Sequence, residues 1–189
     1  AILPKSIQIF DYIFKSISKN PKLFNNVTFH FIGTGNNSSD ENCFRIKEIA
    51  ERYGIWQHNI FEYPKRIPYL DVLVHLEHAS GILIVGSTES HYSPSKVYQG
   101  ILSRKPLLAL LHKNSTAVEV VKKNQAGVIL DFEGELDIER IEVEFPTLFE
   151  NWKKFNEEFD HEKLNNQHFE EYSAYESTKK LVSLLNKVV

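Results

Sequence analysis

The sequence predicts an α/β fold, a Rossmann-like doubly wound parallel sheet closed by a C-terminal helical tail. Three observations carry that reading. Short apolar runs recur at residues 27–33 (VTFHFIG), 82–86 (ILIVG), 106–111 (PLLALL) and 127–130 (GVIL), each bounded by glycine or proline. Between them lie segments with apolar residues at helical spacing. Residues 80–112 compress buried strand, polar loop, helix and second buried strand into one stretch. Such alternation is what parallel strands joined by helical crossovers require.

The elements follow in order. Ile7, Phe10, Ile13, Phe14 and Ile17 predict a helix from about residue 5 to residue 20, where Asn20-Pro21 stops it. The β-branched and aromatic run 27–33 predicts a strand. A polar, glycine-bearing turn follows, in which Asp40 or a preceding serine caps a helix carrying Phe44, Ile46, Ile49 and Ala50. Gly54 ends that helix, as glycine does where the chain turns left-handed. A brief strand at 58–61 leads into a loop, Glu62 to Arg66, and a helix at 67–79. Ile82 to Gly86 reads as a strand covered on both faces. Ser93 suits an N-cap and Pro94 the first helical position. Helix 115–124 and strand 127–130 complete the alternation. Residues 131–144 are acidic and read as a strand or loop over the sheet edge. Helices at 146–165 and 168–189 form the tail, the second with Leu181, Leu184, Leu185 and Val188 as its stripe. Residues 1–145 thus form the main domain, and 146–189 the helices packing on it.

Composition narrows the function. The net charge of −3, with both signs interspersed, argues against nucleic acid as a partner, which wants a dominant basic face. One cysteine, Cys43, makes no disulfide framework or CxxC site, and no HxxxH or HExxH pairing appears, so no metal is expected. No apolar run reaches the roughly 18 residues that span a bilayer, and no signal peptide leads the chain. A cytoplasmic setting is the expectation. The chain has no methionine and begins already running into a helix, so it reads as a piece of a longer polypeptide.

The chemistry gathers where helices begin at strand ends. Capping accounts for Ser93 and Pro94 but leaves Ser95 and Lys96 unexplained, because a cation at a helix N-terminus opposes the dipole. A bound anion would reverse that sign, which points to a phosphate-bearing ligand. Glu89, His91 and Tyr92 precede the helix; a carboxylate there can bond ligand hydroxyls and an aromatic can stack on a ring, or the loop is simply solvated. Gln99 lies one turn beyond Ser95. Lys65 and Arg66 suit contact with phosphate or base, or plain exposure. Gly33-Thr34-Gly35 reads equally as a phosphate-approaching turn and as an ordinary strand-to-helix turn. No GxSxG elbow, Walker loop or paired catalytic carboxylates occur, so the chain is equipped to bind an activated substrate rather than to do acid–base chemistry alone.

The stretch 80–130 resembles the donor-binding half of GT-B glycosyltransferases, especially the large retaining family 4 (group 1). There a strand "aD.lv.ps", a glutamate-bearing loop and a helix "PSK.fEylA.gkPv" precede "..G.lv". FHFIGTG is similar to the family's "l.ivG.G", and ILPKS to the end of its "vGr...KG" loop. The resemblance implies the C-terminal half of a GT-B fold that binds a nucleotide-diphosphate sugar without a metal or other cofactor. It implies Glu89 and Lys5 as catalytic, Lys5 meeting the donor diphosphate. Gly33 and Gly35 would border the cleft, Arg66 and Ile67 would lie near the base, and Ser95 and Lys96 would hold the diphosphate. His91, Tyr92, Ser93 and Gln99 complete the implied donor site. Family members carry two glutamates with seven residues between them; here Glu89 is the first, and Gln99 stands where the second aligns, with residues 90–98 between them. The arginine usual before Lys5 is absent.

The expected function is therefore donor binding in a retaining glycosyltransferase that transfers sugar to a glycan or lipid-linked acceptor, with polysaccharide biosynthesis as the setting. The expected partners are the nucleotide sugar and an N-terminal acceptor domain of the same polypeptide, through which the protein could associate with a membrane surface. The C-terminal helix would cross to brace that domain. The alternatives are a nucleotide-sugar epimerase on the same fold and a degenerate, non-catalytic nucleotide-binding or interaction module.

Overall fold

The computed structural model describes residues 2–35, 42–164 and 169–187. A 3-10 turn at Pro4–Ser6 opens into α1 (Ile7–Lys19) and a short α2 (Pro21–Phe24). Then come β1 (Phe29–Ile32), α3 (Lys47–Arg52), β2 (Ile60–Tyr63), α4 (Tyr69–His78) and β3 (Ile82–Val85). After them follow α5 (Lys96–Leu102), β4 (Leu107–His112), α6 (Thr116–Lys123), β5 (Gly127–Phe132), α7 (Arg140–Glu158) and α8 (Ala174–Leu185). The fold is α/β and Rossmann-like, with every described strand pairing parallel. The strands fall into two hydrogen-bonded sets, β1-β2 and β3-β4-β5.

Two cores lie on opposite sides of the strands. On one, Ile9, Phe10, Ile13, Phe14 and Ile17 of α1 pack with Phe145, Leu148 and Phe149 of α7 against Leu108, Leu110, Leu130 and Phe132. On the other, Val97 and Ile101 of α5 and Val118, Val120 and Val121 of α6 meet Ile84, Leu107, Ala109 and Leu111. β4 is buried along its whole length, because alternate residues serve the two cores. Phe10 meets Phe31 edge-on at 5.4 Å between ring centres, locking α1 to β1.

Several boundaries move for identifiable reasons. The strand expected at 58–61 starts two residues later, because the Asn59 and Ile60 amides bond back to Ile55 in a turn and the Asn59 side chain ties Phe24 and Val27 carbonyls. Glu62 therefore belongs to β2 rather than to a loop. The acidic stretch 131–144 is neither a lone strand nor a loop. Asp131 and Phe132 extend β5, and α7 begins at Arg140, ahead of Pro146. Ile141, Phe145, Leu148 and Phe149 supply its stripe, and Arg140 pairs with Glu144 one turn on at 2.8 Å. α7 ends at Glu158 rather than near 165, and it runs through residue 145 as part of the α1 core.

The tail turns back at an aromatic cluster, Tyr98 with Phe169 and Tyr172. Ser173 caps α8, its hydroxyl accepting from the Glu176 amide at 3.1 Å. α8 buries nothing, and Leu181, Val182, Leu184 and Leu185 are exposed. Asp40 and Val188, expected as a cap and a stripe residue, lie outside the described residues.

Candidate functional site

Parallel strands send all their following loops to one edge, the carboxyl edge. β1 delivers Gly33 at φ 71°, in the left-handed region that glycine adopts without a steric penalty. A side chain at Gly33 would begin 3.9 Å from Arg66 Cα, so the two loops adjoin. The Gly33 amide donates to Tyr63 O at 2.8 Å and the Gly35 amide to Pro64 O at 3.1 Å. A Cβ on Gly35 would collide with Cys43 Sγ and stand 2.9 Å from Pro64 O. Gly35 thus lacks a side chain because protein fills that space.

Glu62 is the residue that sequence reasoning missed here. It is 5% exposed, and its carboxylate accepts from Thr34 Oγ1 at 2.6 Å, the Arg45 amide at 2.8 Å and the Ile46 amide at 3.0 Å. It thereby satisfies amides that lead into α3, where no side chain of that helix acts as a cap. The available signal was strand alternation, since Ile60 and Glu62 share the buried face.

The Pro4–Ser6 turn is strung between the two sheets. The Ile2 amide donates to Thr34 O at 3.3 Å, beyond β1; Ser6 Oγ donates to Gly86 O at 2.5 Å, and the Thr88 amide to Lys5 O at 3.4 Å, beyond β3. Lys5 Nζ extends into solvent and pairs with Glu135 at 2.8 Å. That hydrogen bond and charge raise the Lys5 pKa above the ordinary lysine value, with a smaller push from Glu89. Lys5, Glu89 and Glu135 are therefore electrostatic neighbours. Glu135 comes from the acidic stretch read from sequence as a strand or loop, and it sits in a 3-10 turn at Gly134–Leu136.

In the β3–α5 loop the Glu89 amide donates to Ser87 Oγ at 3.3 Å and the Tyr92 amide to Glu89 O at 3.1 Å, closing a turn. Burial raises the Tyr92 hydroxyl pKa, while His91 and Glu89 face solvent. Ser93 is not the N-cap. Its hydroxyl meets Thr116 Oγ1 at 2.7 Å and Ser115 Oγ at 3.3 Å, so it ties the loop to the start of α6. The cap position falls on Ser95, whose side chain makes no capping bond. Ser95 and Lys96 are exposed, Gln99 is half-buried one turn on, and Lys96 meets no carboxylate among the described residues.

The carboxyl edge thus brings Lys5, the Glu89 loop and Glu135 together, and Gly33 beside Arg66, with Ile67 half-buried next to it. No hydrogen bond or ion pair among the described residues joins Ser95 or Lys96 to Lys5. A concavity of about 1000 Å³ lies between α1 and residues 42–52, lined by Asp11, Tyr12, Arg45 and Arg52, and shares Glu135 with the cluster. Among the described residues no three His, Cys, Asp or Glu side chains form a metal-ligand group, and no helix is long and apolar enough to cross a membrane. No protein-family model and no curated protein matches the sequence.

Proposed function

We propose that this chain is the donor-binding half of a retaining glycosyltransferase of the GT-B type, taking a nucleotide-diphosphate sugar. One observation carries the reading: Gly33, Arg66, Glu89 and Ser95 on loops, Lys5 in the 3-10 turn and Lys96 at the start of α5 all lie toward the carboxyl edge of parallel strands, with Ser95 and Lys96 solvent-facing and unpaired among the described residues. When the sugar C–O bond breaks, its electron pair leaves with the diphosphate. Ammonium and hydroxyl groups fixed beforehand at that position stabilise the charge as it grows. Lys96 is available as it stands. Lys5 must exchange Glu135 for phosphate oxygen, a small rearrangement for two exposed side chains.

Calorimetry of the 189-residue chain against UDP-, GDP- and dTDP-sugars tests this. Binding to at least one is expected, weakened about tenfold by Lys96→Ala, the usual effect of losing one charge-assisted contact. Absence of heat with all three donors at millimolar concentration overturns it. The non-catalytic module is favoured by two features, Gln99 in place of a glutamate and the engagement of Lys5 by Glu135. If the module reading holds, Gln99→Glu leaves nucleotide binding unchanged; on the transferase reading it tightens it through the ribose hydroxyls.

A further inference from the structure

We propose that His112 is a further residue of the anion site, its Nε2–H donating a hydrogen bond to a phosphate oxygen of the diphosphate held beside Lys5. This role rests on the donor-binding reading and adds to it a buried side chain that lies in none of the exposed loops.

Strand alternation places the ring. Leu108 and Leu110 of β4 face the core under α1 and α7, and His112 follows them on that face at the carboxyl end of the strand. The residue is 6% exposed. Phe132 meets it edge-on, with 6.1 Å between ring centres. The Asn114 amide donates to its Nδ1 at 3.1 Å. A backbone amide can only donate, so Nδ1 is bare and the ring hydrogen sits on Nε2. Two contacts therefore fix both the ring and its tautomer.

Nε2 itself bonds to nothing among the described residues. It is not one of the fully enclosed polar atoms left without a partner, so solvent still reaches it. A Cβ on Gly134 would stand 3.7 Å from Nε2 and 3.1 Å from Thr88 O, so Nε2 lies where those two backbone segments meet. Both segments lead to the cluster around Lys5. The Thr88 amide donates to Lys5 O at 3.4 Å, and Glu89 follows it; Gly134 precedes Glu135, which pairs with Lys5 Nζ at 2.8 Å. A donor fixed in direction and open to solvent is set for an acceptor that comes from outside.

That acceptor is a phosphate oxygen. The two carboxylates nearby are otherwise engaged, Glu135 with Lys5 and Glu89 with the Ser87 hydroxyl at 3.4 Å. Lys5 supplies charge on a long, exposed side chain, which attracts an anion without fixing its orientation. An uncharged N–H locked by Asn114 and Phe132 supplies the direction that the ammonium lacks.

Ring nitrogen NMR of the 189-residue chain tests this, with inorganic pyrophosphate, UDP, GDP and dTDP as probes. Ligand should move the His112 Nε2 signal while Nδ1 stays bare. His112→Asn keeps an acceptor for the residue 114 amide, as in an Asx turn, and removes the outward donor. Calorimetry should show it binding pyrophosphate and nucleotide about tenfold more weakly, one hydrogen bond's worth. His112→Gln, which carries an amide near the Nε2 position, should recover most of that loss. Should His112→Asn unfold, the wild-type ring signals decide alone. A ring that none of the four probes moves overturns the proposal. So does nucleotide binding that His112→Asn leaves at wild-type strength, and the donor-binding reading then stands without His112. Movement of Nε2 by pyrophosphate, with no response to any nucleotide, upholds His112 as a phosphate ligand and removes the nucleotide-sugar reading instead.

Discussion

Thr34 donates its hydroxyl to Glu62 at 2.6 Å, and through that one buried carboxylate the turn after β1, the end of β2 and the start of α3 become a single unit. Removing the acceptor strands one hydroxyl and two backbone amides together. Glu62→Ala is expected to destabilise the fold by about 2–4 kcal/mol, the scale for leaving several buried donors unsatisfied. Thr34→Val should cost about 1 kcal/mol. The pair should couple by at least about 0.5 kcal/mol in a double-mutant cycle of urea unfolding. Strict additivity would show that the contact does not hold the loop.

Glu142 of α7 accepts from Lys15 at 2.7 Å and also from Lys19, both on α1. These hydrogen bonds, Lys15 first, hold its carboxyl below the usual carboxylate range. A depressed folded-state pKa means that the unfolded chain binds the proton more readily, so the contribution is full above about pH 5 and fades as pH falls through the folded value. After screening at the half-exposed lysines it amounts to about 0.5–1 kcal/mol. Thermal unfolding from pH 3 to 7 should show wild type above Glu142→Gln at neutral pH, with the two curves merging in acid. A gap that widens toward low pH would contradict the assignment.

Lys5 and Glu135 are 54% and 55% exposed, so their pairing adds little to stability. Its effect should be on anions. On the proposed donor-binding reading, Glu135→Gln should leave the melting temperature unchanged and tighten binding of a nucleotide diphosphate, because Lys5 no longer has a competing carboxylate. Weaker binding in that variant would mean that Glu135 itself contacts the ligand.

Ser93→Ala should lower stability by about 0.5–1.5 kcal/mol through loss of the Thr116 hydroxyl contact at 2.7 Å. Ser95→Ala, at a position making no capping bond, should stay within about 0.5 kcal/mol of wild type. Chemical denaturation ranks the two, and the reverse order would restore a capping role to the motif.

Gly35→Ala should destabilise by about 1–3 kcal/mol, because the added methyl meets Pro64 O at 2.9 Å, a backbone atom that cannot swing aside. Gly54→Ala offers a control: its Cβ meets nothing within 4 Å, so only the cost of its φ of 67° remains. A smaller loss at Gly35 than at Gly54 would argue that the 64–66 loop yields.

The sequence by itself determined the alternation of elements. Ile82 to Val85 and Leu107 to Leu111 are apolar at every position, and only strands covered on both faces keep such runs. Ile7 to Ile17 repeats at helical period, and Asn20-Pro21 ends it. These are local patterns, and local physics reads them. Tertiary structure alone decided where the polar groups went. Alternation with Ile60 puts Glu62 on the inner face, but nothing nearby in sequence names what its carboxylate holds, because its partners at 34, 45 and 46 are distant. Ser93 obeys local capping statistics, yet its hydroxyl serves Thr116, a contact created only when α5 and α6 lie side by side. The division of the strands into two sheets was equally illegible. An apolar run announces a strand, but its hydrogen bonds name a neighbour only once the chain has brought two edges face to face.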